Sequence, residues 1–181
     1  SRGLGDVYKR QTLETNDNSK FASHVSYSSR QMMSGNMNVV ADSIIDGKYY
    51  KHTVTVTGTQ GNTTVKPGEL SSLASGKATY TVAKKFPVAV TLRVDFVETD
   101  AYNITNQSAN IEGADFTVSN GELAAEGDTV TLLLSTNTAD GYYYNGTTLP
   151  KVTDADGNEV TVTADESNTT SSAKFTFTMP E

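Results

Sequence analysis

The chain has 181 residues, no cysteine, and a formal net charge of −7 from 14 Lys and Arg against 21 Asp and Glu. The acidic balance argues against nucleic-acid binding, which needs a basic face, and the lack of cysteine excludes disulfides, thiol catalysis and cysteine-ligated zinc. No stretch of about 18 apolar residues occurs, so the sequence predicts no membrane span.

The first eleven residues, SRGLGDVYKRQ, stand apart from the rest of the chain. They resemble a translated sequencing-library adapter along their whole length, and such a segment is excluded from fold reasoning. The resemblance implies that the natural chain begins near Thr12, as an internal fragment of a longer protein from an environmental sample. Without residues 1–11, which carry three basic side chains and one acidic side chain, the net charge becomes −9. Residues 12–20 are polar and are predicted to be a loop or linker.

Residues 21–105 are predicted to form a first all-β module of unassigned family. A weak strand is expected over residues 21–27. Two β-rich runs at 37–45 and 48–57 flank Asp46-Gly47. This pair is a strong hairpin signal, because a type I′ turn requires positive φ at both central positions.

The clearest strand follows at residues 88–97. Before it, we expect a turn at 58–62, at most one short helical turn within 67–75, and the start of a strand at 79–82. In the clearest strand, the side chains of one face are all apolar: Val88, Val90, Leu92, Val94 and Phe96. An apolar face of this kind needs a facing sheet to cover it, which predicts a small antiparallel β-sandwich, Ig-like or related.

A second all-β module is predicted over residues 106–181, after a polar linker at 103–110. Its strands are expected at 115–119, 129–135, 149–153, 159–163 and 173–179, with another hairpin turn at Asp156-Gly157. Each module has fewer than about 90 residues, a size at which stability is marginal. Such units are usually stacked in series and steadied by their neighbours.

Four phrases of the second module occur in a characteristic order: GDTVTL (127–132), DGYYYNG (140–146), VTDADGNEVTVT (152–163) and FTFTMP (175–180). In that order they resemble the repeat modules of large surface proteins of Gram-positive bacteria, internalin-type B-repeats included. The resemblance implies spacer or adhesive units without chemistry of their own. The resembled module continues with one further strand, so we expect this sheet to be truncated before its last strand and to expose an edge that favours association.

No pattern in the chain selects a catalytic residue, a cofactor site or a metal site. His24 and His52 lie apart, without a convergent set of zinc ligands, and are interpreted as structural. The acidic run from Asp154 to Glu159 has its glycine at the fourth position, where an EF-hand loop has it at the sixth, so a hairpin turn is favoured over a calcium site. Calcium binding and a Lys–Asn isopeptide bond stay open as alternatives.

Tyr142, Tyr143 and Tyr144 form the only concentrated aromatic feature. Aromatic rings offer rigid amphipathic area for stacking on sugars, so these three residues are the candidate partner contacts. The alternative interpretation is that alternate tyrosines fill the module's core while one faces solvent. We favour that alternative.

Taken together, these features predict a non-catalytic structural or adhesive segment of a bacterial cell-surface or secreted protein. Its expected partners are neighbouring repeat modules and a host or cell-wall glycan or protein. A different hypothesis is a carbohydrate-binding accessory region of a secreted glycan-degrading enzyme. A third is that residues 21–105 form an unfamiliar ligand-binding module.

Overall fold

The computed structural model describes residues 11–28, 36–58, 65–82, 90–107, 111–119 and 122–181, which form two compact units, Ser1–Thr99 and Asp100–Glu181. The all-β prediction is confirmed, since the described residues are mostly strands and contain one α-helix of only four residues. The division falls between Thr99 and Asp100, a few residues before the boundary predicted from the sequence.

The first unit contains nine strands and one helix within its described residues. In chain order they are β1 (Gln11–Thr15), α1 (Asn18–Phe21), β2 (Val25–Tyr27), β3 (Met37–Asp42), β4 (Ile44–Ile45), β5 (Lys48–Gly58), β6 (Val65–Pro67), β7 (Glu69–Ala74), β8 (Lys77–Val82) and β9 (Val90–Glu98). A single 3-10 turn at Ala22–His24 follows α1.

Two groups of strands build this unit around one apolar core. In one group β1, β9 and β5 lie side by side, and β4 and β6 also pair with β5. The other is the four-stranded sheet β2-β3-β8-β7. Every pairing is antiparallel except that of β1 with β9, which is parallel over five residue pairs. Both groups supply buried side chains to the same core, among them Val39, Ala41, Tyr80, Val54, Val94 and Phe96.

Residues 12–20 are not a linker, which corrects the sequence prediction. Strand β1 starts at Gln11, the last residue of the adapter-like segment, and residues 1–10 lie outside the described part of the chain. Beyond the end of β1, the Asn16 side chain makes hydrogen bonds of the kind that a paired strand would make with β9. Its Nδ2 donates to the Phe96 carbonyl, and its Oδ1 accepts from the Phe96 N–H, both at 2.8 Å. Asp17 caps α1, which brings Phe21 against Phe96 in a stacked pair. Of the weak strand predicted over residues 21–27, only Val25–Tyr27 forms a strand, β2.

The predicted turn at Asp46-Gly47 is confirmed, because both residues have positive φ, 50° and 75°. Its first arm is shorter than expected, since the run 37–45 breaks at Ser43. The Ser43 N–H donates to the Gly76 carbonyl, and its own carbonyl accepts from the N–H of Tyr50. Ser43 therefore passes the chain from β3 in one sheet to β4 in the other.

The expectation of a helical turn in residues 67–75 is wrong. The segment forms the end of β6 and all of β7, and a second left-handed pair, Ser75 (φ 53°) and Gly76 (φ 72°), joins β7 to β8. Gly68 lies between β6 and β7 so close to β5 that a Cβ there would lie 2.8 Å from the Val54 side chain. Residues 59–62 of the predicted turn, and residues 88 and 89 of the predicted strand, lie outside the described residues.

The second unit contains eight short strands in its described part. They are β10 (Tyr102–Asn103), β11 (Ala114–Val118), β12 (Leu123–Ala124), β13 (Thr129–Thr136), β14 (Val152–Thr153), β15 (Glu159–Val160), β16 (Thr163–Ala164) and β17 (Ser172–Thr178). The main sheet has the order β11-β13-β17-β16, and β10-β12 and β14-β15 form separate pairs. The predicted strand at 149–153 is reduced to two residues, and the one at 159–163 divides into β15 and β16.

The described part of the predicted 103–110 linker belongs to this second unit. Asn103 lies in β10, the Ile104 N–H donates to the Glu122 carbonyl, and Asn106 Nδ2 donates to the Phe116 carbonyl. Residues 108–110 lie outside the described part. The core of the unit lies on one face of the main sheet, where β13 and β17 bury Val130, Leu132, Ala173, Phe175 and Phe177.

Candidate functional site

The described part of the second unit contains a groove of about 1050 Å³ over the apolar face of the main sheet. We call it the sheet groove. Its floor consists of alternate apolar side chains of β11, β13 and β17, and its walls come from residues 102–107 and 142–155. The floor side chains are Phe116, Val118, Leu132, Leu134, Phe175 and Phe177.

Side-chain hydrogen bonds shape the groove wall, which has little regular secondary structure. Asn145 Oδ1 accepts from the N–H groups of Thr147 and Thr148, both at 2.9 Å. Asp154 Oδ1 accepts in the same way from the N–H groups of Asp156 and Asn158. Asn and Asp side chains that bond the backbone a few residues ahead favour turns over strands, which explains why this segment is irregular and still ordered.

Tyr142 is fixed at one end of the groove wall by Gly113. The glycine has a φ of +74°, and a Cβ on it would overlap Cγ of the Tyr142 ring. The tyrosine hydroxyl donates to Glu112 Oε1 at 2.9 Å, and this hydrogen bond raises the pKa of Tyr142 above its ordinary value. Only glycine permits this close approach of the ring to the backbone.

Tyr144 is fixed by different contacts, two residues further along. Its ring meets Phe175 of the floor edge to face, with centroids 5.6 Å apart. Its hydroxyl donates to the Thr148 carbonyl and its N–H to the Thr170 carbonyl, both at 2.8 Å. Tyr144 is therefore part of the wall and of the core.

Tyr143 lies between these two fixed residues and is 62 % exposed, the highest value among the large hydrophobic side chains that the structure describes. The tyrosine-core interpretation predicts this alternation, although no strand runs through residues 142–144. Three more exposed hydrophobic side chains line the same groove: Tyr102, Ile111 and Leu149.

The charged groups around the groove are mostly acidic. Glu112, Asp154 and Glu181 line it, against Lys151 as the basic residue. Hydrogen bonds from Asn158 and from backbone N–H groups hold the pKa of Asp154 below its ordinary value, so this carboxylate is ionised at neutral pH. The remaining polar lining is rich in side-chain amides, including Asn103, Asn106, Gln107 and Asn145.

The acidic run at Asp154 forms the hairpin turn between β14 and β15. Gly157 has a φ of 85°, and the carboxylate of Asp154 accepts three hydrogen bonds, from the Asp156 N–H and from the N–H and Nδ2 of Asn158. Three protein donors therefore hold this carboxylate in the turn. Among the described residues no three His, Cys, Asp or Glu side chains come close enough together to hold a metal ion.

Both histidines lie in the first unit and contact Asp42 in different ways. His24 Nδ1 lies 2.7 Å from Asp42 Oδ2, and Lys77 Nζ lies 2.6 Å from Oδ1. Burial by itself raises the pKa of Asp42, but the bonds from Lys77 and His24 outweigh it and lower that pKa.

His52 is half-buried and uses both ring nitrogens in hydrogen bonds. Nε2 lies 2.9 Å from the Asp42 carbonyl, and Nδ1 lies 2.9 Å from the Tyr80 hydroxyl. The carbonyl only accepts, so Nε2 carries the proton and neutral Nδ1 accepts from Tyr80. Burial lowers the pKa of His52, which keeps the ring neutral at physiological pH. These contacts give both histidines a structural role.

Sequence reasoning found the three tyrosines but missed most of the groove. Tyr102, Ile111 and Leu149 come from separate segments without a shared motif, so only the fold brings them to one surface. Gly113 gave a partial signal, because an isolated glycine often marks a close approach to the backbone. Comparison of the chain with family models, with curated proteins and with solved structures finds no match.

Proposed function

We propose that this chain is a non-catalytic structural and adhesive segment of a bacterial cell-surface or secreted protein, located outside the cell. Two features support the proposal: a strand pairing in the first unit that is suited to carrying tension, and an exposed contact groove in the second. The sequence resemblance to Gram-positive repeat modules supports it as well. In the described part of the chain, no helix is long and apolar enough to cross a membrane.

The observation that carries the proposal is the parallel pairing of β1 with β9, the first and last strands that the structure describes in the first unit. Past the adapter-like segment, Thr12 pairs with Thr91 at one end, and Thr15 pairs with Val94 at the other. Tension applied through the chain pulls β1 toward its amino end and β9 toward its carboxyl end. The two strands are thereby loaded in shear, and their hydrogen bonds must break together.

Asn16 extends this clamp beyond the end of β1. Its side chain makes two 2.8 Å hydrogen bonds with the backbone of Phe96, two positions along β9 after Val94, the last residue that pairs with β1. On its other side, β9 pairs with β5 over nine residue pairs, from Tyr50 with Glu98 to Gly58 with Val90. The clamp is therefore anchored in the core of the unit.

Single-molecule stretching of the full chain tests this role, and the absence of native cysteine allows specific attachment. Attachment through Gln11→Cys and Asp100→Cys loads β1 against β9 in shear. The control pair is Lys48→Cys and Asp100→Cys. Because β5 and β9 are antiparallel, both attachment points lie at the same end of this strand pair, and the pull opens its hydrogen bonds one after another. We expect a clearly higher unfolding force for the first pair. Equal or lower force in the shear geometry would refute the load-bearing role.

The alternative function, an accessory carbohydrate-binding region of a secreted glycan-degrading enzyme, is favoured by the exposed Tyr143 at the groove. A region of a freely diffusing enzyme has no need of resistance to shear, whereas an anchored adhesive segment does. The stretching experiment therefore separates the two functions even if both bind a glycan.

A further inference from the structure

We propose that the sheet groove binds a neutral oligosaccharide, with the exposed ring of Tyr143 as the stacking surface. The proposal rests on the adhesive part of the proposed function and names its partner class. Exposed hydrophobic side chains concentrate at this groove. Among the described residues of the second unit, five large hydrophobic side chains are exposed; four of them line the groove, and Leu133, on the opposite face of β13, does not.

The geometry around Tyr143 holds its ring ready for a ligand. Tyr142 is fixed by the backbone at Gly113 and by Glu112, and Tyr144 by Phe175. The backbone on both sides of Tyr143 is thus held, and only its own side-chain torsions are left to order on binding. Preorganisation of this kind raises affinity because little conformational entropy is lost. A tyrosine ring also presents a large amphipathic face with few torsions.

A second aromatic residue and exposed amides accompany this ring. Tyr102 is 48 % exposed and lines the same groove. Asn103 and Gln107, exposed on the same wall segment, can donate to and accept from hydroxyl groups. Sugar rings have apolar faces and hydroxyl edges, so aromatic faces combined with amide side chains match their chemistry.

Charge and hydrogen bonding argue against two other occupants. The acidic residues Glu112, Asp154 and Glu181 disfavour an anionic ligand, in line with the net charge of the chain. An added peptide strand would pair with β11, which lies at the edge of the main sheet. There, the Phe116 carbonyl already accepts a hydrogen bond from Asn106 at 2.9 Å, so the middle of that edge is occupied. A neutral oligosaccharide avoids both obstacles.

The test titrates the full chain with four neutral hexasaccharides: cellohexaose, xylohexaose, mannohexaose and N-acetylchitohexaose. Binding is followed by calorimetry and by tyrosine fluorescence, which is usable because the chain has no tryptophan. We expect at least one sugar to bind saturably. Tyr143→Ala should weaken that binding about tenfold, the factor equivalent to about 1.4 kcal/mol. Tyr143→Phe should retain most of the affinity, because it keeps the ring.

Leu133→Ala is the matched control, since it removes an exposed hydrophobic side chain outside the groove and should leave binding unchanged. If none of the four sugars binds at millimolar concentration, the proposal is overturned. Binding that survives Tyr143→Ala, or tight binding of a Val/Thr-rich decapeptide in place of the sugars, overturns it as well. The stretching result does not depend on Tyr143, so a failure here leaves the load-bearing role standing.

Discussion

Replacing Gly113 with alanine probes how the tyrosine segment is held. The new Cβ meets two obstacles: a backbone φ of +74° and the ring of Tyr142. A left-handed conformation costs a non-glycine residue about 1–2 kcal/mol. Displacing the ring also removes its hydrogen bond to Glu112. With the lost ring packing, we expect the second unit to become less stable by about 2–4 kcal/mol.

Gly127→Ala is the matched control for this substitution. Gly127 also has a left-handed backbone, with a φ of +81°, but no atom lies within 4 Å of the position of its Cβ. The control therefore carries only the backbone cost of about 1–2 kcal/mol. Any additional destabilisation by Gly113→Ala measures the contact with the ring.

The assay is urea unfolding of the full chain, with hydrogen exchange of peptides from residues 122–181 reporting on the second unit alone. Separate reporting is needed, because a chain with two units need not unfold in one transition. In a Tyr142→Ala background, Gly113→Ala should cost no more than Gly127→Ala does. If the two alanine variants are equally destabilised in the native background, the Tyr142 ring does not lie on Gly113, and the preorganisation argument fails.

Three further predictions concern the rest of the molecule. The pKa of His52 is lowered in the folded state, so protonation of this ring below the unfolded pKa near 6.5 favours unfolding. The free energy of unfolding of the first unit should therefore fall as the pH drops below about 6.5, and His52→Gln should weaken that pH dependence. Asn16→Ala should destabilise the first unit by about 2–4 kcal/mol in urea, because both backbone groups of Phe96 lose their partner. Calcium should leave the melting temperature of the second unit unchanged, because the Asp154 carboxylate already accepts three hydrogen bonds from the protein. A rise of several degrees would contradict this.

Patterns local in sequence predicted much of the fold. Three kinds of feature depend only on neighbouring residues: the apolar alternation in β9, the left-handed pair at Asp46-Gly47, and the alternating runs that form β13 and β17. Period-two burial and turn chemistry act over a few residues, so one sequence is enough to reveal them.

The errors arose where polar side chains take the place of backbone partners. Residues 12–20 suggested a linker because they are polar, yet Asn16 bonds the backbone of Phe96, 80 positions away. A capping signal was present, since Asp17 precedes a helical turn and accepts a hydrogen bond from the Lys20 N–H. The sheet groove had no comparable signal, because its walls come from segments that meet only in the folded unit.

The two units bury their apolar faces in different ways, and this difference underlies the division of roles. In the first unit, side chains of two groups of strands meet in one core, and the parallel pair β1–β9 spans from its first strand to its last. In the second, the apolar face of the main sheet is covered by turns held by Asn145 and Asp154, and Leu132, Phe175 and Phe177 are buried while Tyr143 at the groove is exposed. The exposed rings and amides of the groove wall, Tyr143, Tyr102, Asn103 and Gln107 among them, are the groups accessible to a ligand. We therefore propose that resistance to load belongs to the first unit, and contact with a partner to the second.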